Sequence, residues 1–182
     1  MVFDFRTSKR DPMVPVQLKH ECIGEVKTFK YLGTVIDNKL VWDEQCKTIL
    51  SKAQQRNLRK MSQFHVDRNI LYLFYQTVIE SVLLFSCVVW YGSCRKGDFI
   101  KLQRIAKQAG KLTEVIRSLD ELCISRILKQ VDEILRNENH PLYKCYTFMR
   151  SGKRLRSLSC RTQRFFNSYV PLSIRLYNEA NQ

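Results

Sequence analysis

Acidic residues are scarce in this sequence. Its 17 Asp and Glu stand against 31 Lys and Arg, which gives a formal net charge of +14 and an isoelectric point near 9.7. Glycine and proline are also few, 6 and 4 among 182 residues, while 45% of the residues are hydrophobic. This composition excludes a disordered or low-complexity chain. The positive charge favours an anionic partner, such as nucleic acid or an anionic membrane surface, over a small-molecule substrate.

Closely spaced cysteine pairs are lacking as well. The 7 cysteines include no C-x-x-C pair, whereas a zinc ribbon or knuckle needs two thiolates on one short turn. We therefore predict no metal site and no cofactor. The chain opens on a charged stretch, residues 1–6, rather than on the apolar core of a signal peptide. We expect an intracellular protein, cytoplasmic or nuclear, whose thiols are reduced and mostly act as small core residues.

The spacing of apolar residues changes along the chain. Residues 2–5, 14–18 and 26–36 are typical of strands separated by turns. From Trp42 the apolar positions recur every three to four residues, which predicts helices over about 42–63 and 68–91, a third capped by Asp98, and a fourth starting at Ser118 or Asp120. A last helix has Pro171 in its first turn. The pattern predicts an α+β, mainly α fold, with a small N-terminal antiparallel strand region followed by a helical bundle and a basic C-terminal segment.

The apolar run of residues 70–91 is long enough to span a membrane. Gln76 and Glu80 lie near its centre, where a charge costs about 2.5–3.5 kcal/mol on insertion scales. We therefore expect the buried central helix of a bundle and no membrane partner. Asp67 is the predicted N-cap of this helix, and Glu80 is expected to need a basic partner or an edge position.

Three groups of cations are candidate nucleic-acid-binding residues. Two of them form helix stripes, and the third is interleaved with aromatic residues in the last 33 residues, which hold seven basic side chains against one acidic. Cationic stripes bind phosphates with little regard to sequence, and cations mixed with aromatics suit single-stranded RNA. The groups are Lys52, Arg56, Arg59 and Lys60; Lys101, Arg104, Lys107 and Lys111; and Arg150, Lys153, Arg154, Arg156, Arg161 and Arg164 with Phe165, Phe166 and Tyr169.

Residues 29–37, Phe-Lys-Tyr-Leu-Gly-Thr-Val-Ile-Asp, resemble the primer grip of reverse transcriptases from LINE-type (non-LTR) retrotransposons, a class of transposable element. Further segments that resemble this family follow in order at residues 40–43, 52–56, 74–75, 79–83, 90–92, 102–104, 140–142, 151–154, 161–162, 167–168 and 175–178. The resemblance implies that residues 1–39 are the end of the palm, residues 40–115 a thumb-like bundle and residues 116–182 a C-terminal segment. It also implies a primer-grip-like group, made of Phe29, Lys30, Tyr31, Leu32 and Gly33.

The same resemblance implies that this chain is not an enzyme by itself. That family holds its two catalytic metal ions with clustered carboxylates that include an adjacent Asp pair, and this sequence contains no Asp-Asp pair. We therefore expect no catalytic residue. The expected function is that of a truncated reverse transcriptase-like fragment that retains sequence-indifferent binding to RNA or to an RNA–DNA hybrid.

Two alternatives remain open from the sequence. The stretch through residues 31–33 also looks like the N-terminal domain of an AlkB-type tRNA-modifying protein, here without its catalytic domain. His65-Val66-Asp67, with His140 as a third ligand, has the H-x-D pattern of Fe(II)/2-oxoglutarate dioxygenases, although the capping role of Asp67 already accounts for that residue. The second alternative is a non-catalytic helical module that binds proteins, with possible self-association through an unpaired strand edge.

Overall fold

A computed structural model describes residues 3, 16–19, 21–53, 63, 66–114 and 117–181. The predicted fold class is confirmed: the described chain is mainly helical, with two small antiparallel sheets of two strands each near its N-terminus. The predicted strand at residues 2–5 and the part of the first helix beyond residue 53 lie outside the described residues, apart from Phe3 and Gln63. The division at residues 39 and 115 stays a prediction.

The strands form two hairpins. Strands β1 (Gln17–Leu18) and β2 (Glu21–Cys22) make the first, and β3 (Thr28–Tyr31) and β4 (Thr34–Asp37) make the second. Leu32 and Gly33 connect β3 to β4 with φ angles of 46° and 86°, as a two-residue hairpin turn requires. The second hairpin is joined to the helical body because the side chain of Gln45 accepts the amide hydrogen bond of Val35 at 2.8 Å.

Eight helices are described. They are α1 (Asp43–Lys52), α2 (Arg68–Phe74), α3 (Ser81–Leu83), α4 (Cys87–Trp90), α5 (Lys96–Thr113), α6 (Leu119–Arg136), α7 (Gln163–Phe166) and α8 (Tyr169–Ala180). A π-helical segment (Tyr75–Glu80) connects α2 to α3, and short 3-10 turns occupy Tyr91–Ser93 and Tyr143–Cys145.

The helix ends test the capping predictions. Asp67 caps α2 as predicted, because its carboxylate accepts the amide hydrogen bond of Asn69 at 2.8 Å. Ser118, rather than Asp120, precedes α6. The prediction that Asp98 caps the third predicted helix is wrong: α5 begins at Lys96 after Arg95, and Asp98 lies in its first turn. There Asp98 forms an ion pair with Lys101 at 2.7 Å.

The prediction of one regular helix over about residues 68–91 is wrong in detail. The helix widens to a π-helical segment at Tyr75 and stops at a turn where Ser86 has a left-handed φ of 52°. Side-chain hydroxyls compete for main-chain carbonyls on this helix, since Thr77 Oγ1 donates to the Leu73 carbonyl and such bonding disturbs regular helix geometry. The indole of Trp90 donates to the Phe85 carbonyl at 2.9 Å and so satisfies an acceptor at the turn.

This central helix is buried on one face only. Its inner residues join the main core with residues of α1, α5 and the start of α6. The predicted buried central helix therefore joins the core through its inner face only. Its outer face carries exposed apolar side chains, which are Ile70, Leu73, Val78, Phe85 and Val89. By length and composition the range Arg68–Ser93 is apolar enough to cross a membrane. An 18-residue stretch within it has a mean hydropathy of 1.6, and 33% of that stretch is buried.

A second, smaller core supports the C-terminal part of the chain. Val131 and Ile134 of α6 pack with Tyr146, Leu155 and Ile174. Within it the hydroxyl groups of Tyr146 and Ser173 lie 2.9 Å apart in a buried hydrogen bond. The main-chain carbonyl oxygen of Asn167 lies so close to Gly92 that a Cβ atom there would approach it to 2.3 Å. Gly92 therefore lets the chain after α4 contact the segment between α7 and α8.

Candidate nucleic-acid interface

A short basic hairpin projects from the second core. Phe148 and Leu155 form an antiparallel bridge, the Met149 amide donates to the Arg154 carbonyl at 2.8 Å, and the Arg156 amide donates to the Thr147 carbonyl at 2.7 Å. The tip turns through Gly152, whose φ is 71°. Residues 147–156, which we call the basic hairpin, thus gain a defined shape although most of their side chains are exposed.

Asn178 of α8 holds the basic hairpin in place. Its side-chain Oδ1 accepts from the Leu155 amide at 2.8 Å, and its Nδ2 donates to the Leu155 carbonyl at 2.9 Å. Leu155 is fully buried. Since successive side chains of an extended segment point to opposite sides, burial of Leu155 turns its two neighbours outward, and Arg154 and Arg156 are both exposed.

Helix α7 presents aromatic side chains next in sequence. Thr162 caps it by accepting the Phe165 amide at 3.2 Å. Phe165 and Phe166 remain 45% and 40% exposed, which is unusual for side chains that gain most from burial. The guanidinium of Arg175 lies 3.6 Å from the centre of the Phe166 ring and donates to the Phe166 carbonyl at 2.8 Å.

Helix α8 places the two features on the same side. Arg175 holds α7, Asn178 holds the basic hairpin, and residues three apart on a helix lie on one face. One face of α8 thus anchors both the basic hairpin, through Leu155, and α7, through Phe166. The six predicted cations of the last segment are all exposed; these are Arg150, Lys153, Arg154, Arg156, Arg161 and Arg164.

The cations of the basic hairpin form no ion pair with an acidic side chain among the described residues. The sequence from Arg150 to Phe166 contains no Asp or Glu. Such guanidinium groups, together with exposed rings, suit phosphates and stacked bases.

The two predicted helix stripes are less complete. Of the first, only Lys52 is described, at the exposed end of α1; Arg56, Arg59 and Lys60 lie outside the described residues. The second lies on α5, where Lys101, Arg104, Lys107 and Lys111 are all exposed. Lys101 is partly neutralised by its ion pair with Asp98, so three cations of that stripe remain as candidates.

The predicted primer-grip-like group lies on the second hairpin, far in sequence from the basic hairpin. Phe29 and Tyr31 are 52% and 59% exposed, so these rings do not belong to the core. Lys30 and Leu32 are exposed too. Gly33 packs against Phe85, since a Cβ atom on Gly33 would come within 3.0 Å of that ring. The glycine is therefore needed for contact with the helical body.

The residues of the predicted iron pattern have local roles where they are described. The Asp67 carboxylate caps α2, and Nδ1 of His140 accepts the Leu142 amide hydrogen bond at 3.1 Å. His65 lies outside the described residues. Among the described residues no group of three or more His, Cys, Asp and Glu side chains is arranged to hold a metal ion.

Burial perturbs several titratable groups beneath these surfaces. It raises the pKa of Tyr75 to about 12, and it raises the pKa of Tyr146 and of Tyr169 near the second core. Burial also raises the pKa of Glu80, against the opposing charges of Arg117 and Arg126. The predicted basic neighbours of Glu80 are thus present, but its Oε2 atom is buried without a hydrogen-bond partner among the described residues.

Sequence reasoning missed Arg175 and Asn178 as parts of the site. Both lie on a helix whose sequence shows only amphipathic spacing, and their contacts reach residues 9 and 23 positions away. A short-range motif cannot report such contacts. The one available signal was the polar Asn178 on the inner side of the predicted last helix.

A comparison with protein-family models overturns the resemblance on which the first interpretation was based. Residues 42–81 match the model described as alkylated DNA repair protein alkB homolog 8, N-terminal. The identification as a LINE-type reverse transcriptase fragment is therefore wrong, as are the truncated-polymerase function and the primer-grip role derived from it. The finding agrees better with the AlkB-type alternative, although its match begins at residue 42 rather than covering the stretch through residues 31–33.

The matched segment runs from the residue before α1 to the first residue of α3, well under half of the chain. It includes α1 and α2, which contribute part of the main core, and none of the basic hairpin. Searches of curated proteins and of solved structures gave no match.

Proposed function

We propose that this chain is a non-catalytic nucleic-acid-binding module of AlkB-type N-terminal character, and that its preferred ligand is single-stranded RNA. The family description names a DNA repair protein, which supports nucleic acid as the class of partner. Single-stranded RNA is the finer part of the proposal, and it rests on the exposed rings of α7. An intracellular location stays a prediction.

The observation that carries the proposal is the outward display of Arg154 and Arg156 by the buried Leu155–Asn178 pair. Flexible surface cations lose side-chain entropy when they bind a phosphate. The backbone of the basic hairpin is fixed by its two cross-strand main-chain hydrogen bonds and by the pair of bonds from Asn178. This lowers the entropy cost of binding, because the Cα positions are already ordered. Phe165 and Phe166 then offer faces on which unpaired bases stack, worth about 1–3 kcal/mol per base.

The first test measures binding of a labelled single-stranded RNA by fluorescence anisotropy over a range of salt concentrations. Four cations of the basic hairpin should release counterions, so log K should fall with log salt with a slope of about −2 to −3. Absence of binding at low salt, or an affinity unchanged by salt, would contradict phosphate recognition.

Charge-matched variants separate this surface from general attraction to a basic protein. Arg154→Gln with Arg156→Gln should weaken binding and reduce the salt slope by about 1.4, the contribution of two single-strand phosphates. Lys129→Gln with Arg136→Gln removes the same charge from exposed positions of α6 and should leave the slope near that of the unchanged protein. Equal losses in both pairs would argue against a localised site.

Aromatic variants test stacking separately from charge. Phe165→Ala and Phe166→Ala keep the net charge, so they should leave the salt slope unchanged while weakening single-stranded RNA binding on the order of tenfold or more each. Phe29→Ala is a control that should leave the affinity unchanged, since this ring is also half exposed but lies on β3, outside the basic hairpin and α7. An unchanged affinity in both α7 variants would exclude stacking there.

An RNA–DNA hybrid is the second ligand to compare. Three cations of α5 are not paired with Asp98, namely Arg104, Lys107 and Lys111. They lie along one helix and suit a duplex backbone. Substituting these three with Gln should weaken hybrid binding more than single-stranded RNA binding if α5 contacts a duplex. A loss shared equally by both ligands would remove the duplex from the proposal.

Self-association is a second candidate activity, supported by β3. This strand pairs with β4 among the described residues, and all four of its residues are exposed. An open edge of this kind accepts a further strand. Light scattering over a concentration series tests it: growth of a dimer with concentration supports pairing through the edge, and a monomer at every concentration excludes it.

A further inference from the structure

Two pairs of cysteine thiols lie in contact in the main core. Cys46 of α1 and Cys94, two residues before α5, have their Sγ atoms 3.3 Å apart. Cys87 and Cys123 are close enough for each thiol to shift the pKa of the other. All of them are free thiols. The pairs differ in access, because Cys87 and Cys123 are both fully buried while Cys94 is partly exposed.

The Cys46–Cys94 pair is held from both sides. Cys46 lies in the first turn of α1, where its amide donates to the Trp42 carbonyl at 2.9 Å. Next to it the Asp43 carboxylate and the Arg95 guanidinium form an ion pair at 2.9 Å, which also joins the start of α1 to the residue before α5. The two sulfur atoms are thus kept close by two structural elements that pack together, so a bond between them requires little backbone movement.

The two thiols are not equivalent. The hydrogen bond from Cys46 lowers the pKa of Cys94, against the opposing effects of burial and of Asp98 and Asp43. The same hydrogen bond and burial raise the pKa of Cys46. The more acidic thiol is therefore also the more accessible one, which is the arrangement that makes one cysteine the attacking group and the other the resolving group.

We propose that Cys46 and Cys94 form an oxidative modification site whose oxidant is a hydroperoxide. The Cys94 thiolate attacks the peroxide oxygen, the O–O bond breaks, and the leaving hydroxide takes a proton to become water, which leaves a sulfenic acid on Cys94. The Cys46 thiol, giving up its proton, then attacks the Cys94 sulfur and displaces a second water. Two thiols and one hydrogen peroxide thus give one disulfide and two waters.

The disulfide would join the start of α1 to the start of α5 across residues 46–94, which contain most of the matched AlkB-type segment. A cross-link of that loop restricts the unfolded chain, so the oxidised protein should unfold at a higher temperature. The proposal concerns the main core and does not depend on nucleic-acid binding.

The full-length protein tests it directly. The folded chain is treated with hydrogen peroxide, free thiols are blocked with N-ethylmaleimide, and chymotryptic peptides are examined by mass spectrometry without reduction. Cleavage at aromatic and leucine residues separates Cys46 on residues 43–50 from Cys94 on residues 92–99 and from Cys87. The expected product is these two peptides joined with the loss of two hydrogens, while Cys87 and Cys123 react with maleimide only after unfolding. Cys94 oxidised to sulfinic acid beside a free Cys46 would overturn the proposal.

Two variants complete the test. Cys94→Ser should abolish both the cross-linked peptide and the rise in unfolding temperature on oxidation. Cys160→Ser replaces a cysteine that is also partly exposed and should leave both intact. In Cys46→Ser, dimedone should trap a sulfenic acid at Cys94. A rise in unfolding temperature that persists in Cys94→Ser, or cross-links spread over the exposed Cys22 and Cys145 and the partly exposed Cys160, would contradict a specific pair.

Discussion

Asn178 takes the place of a third strand beside Leu155. Its amide group accepts from the Leu155 N–H and donates to the Leu155 carbonyl, at 2.8 and 2.9 Å. The neighbours of Leu155, Arg154 and Arg156, are instead hydrogen-bonded to the other strand of the basic hairpin. One side chain therefore satisfies both main-chain groups of a buried residue, and in doing so it ties the cationic turn to α8.

Asn178→Ala should destabilise the fold by about 2–4 kcal/mol, because each buried main-chain group left unsatisfied costs about 1–3 kcal/mol and water compensates part of the loss. Asn178→Asp should also be destabilising, since its carboxylate still accepts the Leu155 amide but turns an acceptor oxygen instead of a donor toward the Leu155 carbonyl. Urea unfolding measures the loss, and hydrogen exchange at Leu155 should quicken in both variants. Asn181→Ala is the matched control, since its side chain donates to the Tyr177 carbonyl at the exposed helix end. A stable Asn178→Ala protein with slow exchange at Leu155 would contradict this role.

Gly92→Ala tests the contact between the two parts of the chain. The added Cβ atom would lie 2.3 Å from the Asn167 carbonyl oxygen and 2.6 Å from Leu172 Cδ2, so the segment between α7 and α8 must move. Overpacking of this kind costs about 1–3 kcal/mol. At Gly97, where a Cβ atom meets nothing within 4 Å, alanine should stabilise the start of α5 by up to about 1 kcal/mol. Thermal unfolding of the two variants should shift in opposite directions; a shared direction would exclude the close approach as the cause.

Asp37→Ala tests the connection from β4 to α1. The Asp37 carboxylate accepts amide hydrogen bonds from Lys39, Val41 and Trp42, at distances of 2.8 to 3.2 Å. Trp42 has a left-handed φ of 67°, a conformation that costs energy in a residue other than glycine. Removing the acceptors should destabilise the protein by about 1–3 kcal/mol, with a smaller loss in Asp37→Asn, as measured by urea unfolding. An equal loss in Asp132→Ala, at an exposed position of α6, would argue against a specific role.

Glu80→Gln tests the cost of a carboxylate on the π-helical segment. Burial raises the folded-state pKa of Glu80 above its unfolded value, so the protonated form is favoured by folding. Its stabilising effect is fully present below the unfolded pKa of about 4.3 and is lost as the pH rises through the folded pKa. Glu80→Gln should therefore unfold at a higher temperature than the unchanged protein at pH 7.5, and the difference should disappear near pH 4. Glu121→Gln, at an exposed position, should show no such dependence. A less stable Glu80→Gln at pH 7.5 would mean that attraction to Arg117 and Arg126 outweighs burial.

Local patterns accounted for much of the described fold. The spacing of Trp42, Cys46, Ile49 and Ala53 predicted a buried face of α1, and all four are core residues. Asp67 and Pro171 marked helix starts because capping and proline geometry depend on neighbours within one turn. The break at Ser86 was not predictable in this way, because the run around it is uniformly apolar and shows no glycine or proline.

The assignment to LINE-type reverse transcriptases, made from short and scattered sequence segments, was wrong for a different reason. The segments hold only two to nine residues each, such as residues 29–37 and 74–75, and a similarity that short carries little information about family. The match over residues 42–81 is one continuous stretch of sequence, and the short segments on either side of it carry no independent support.

The sequence by itself determined the mainly helical fold class, the positive charge and the cationic residues of the last segment. These depend on composition and on spacing within a few residues, which the chain order fixes directly. Only the tertiary structure decided which cations act together, that Asn178 and Arg175 hold the basic hairpin and α7 on one face, and that Cys46 meets Cys94. The physical reason is distance along the chain: hydrogen bonds and thiol contacts act over a few ångströms, and folding alone brings residues 23 or 48 positions apart into that range.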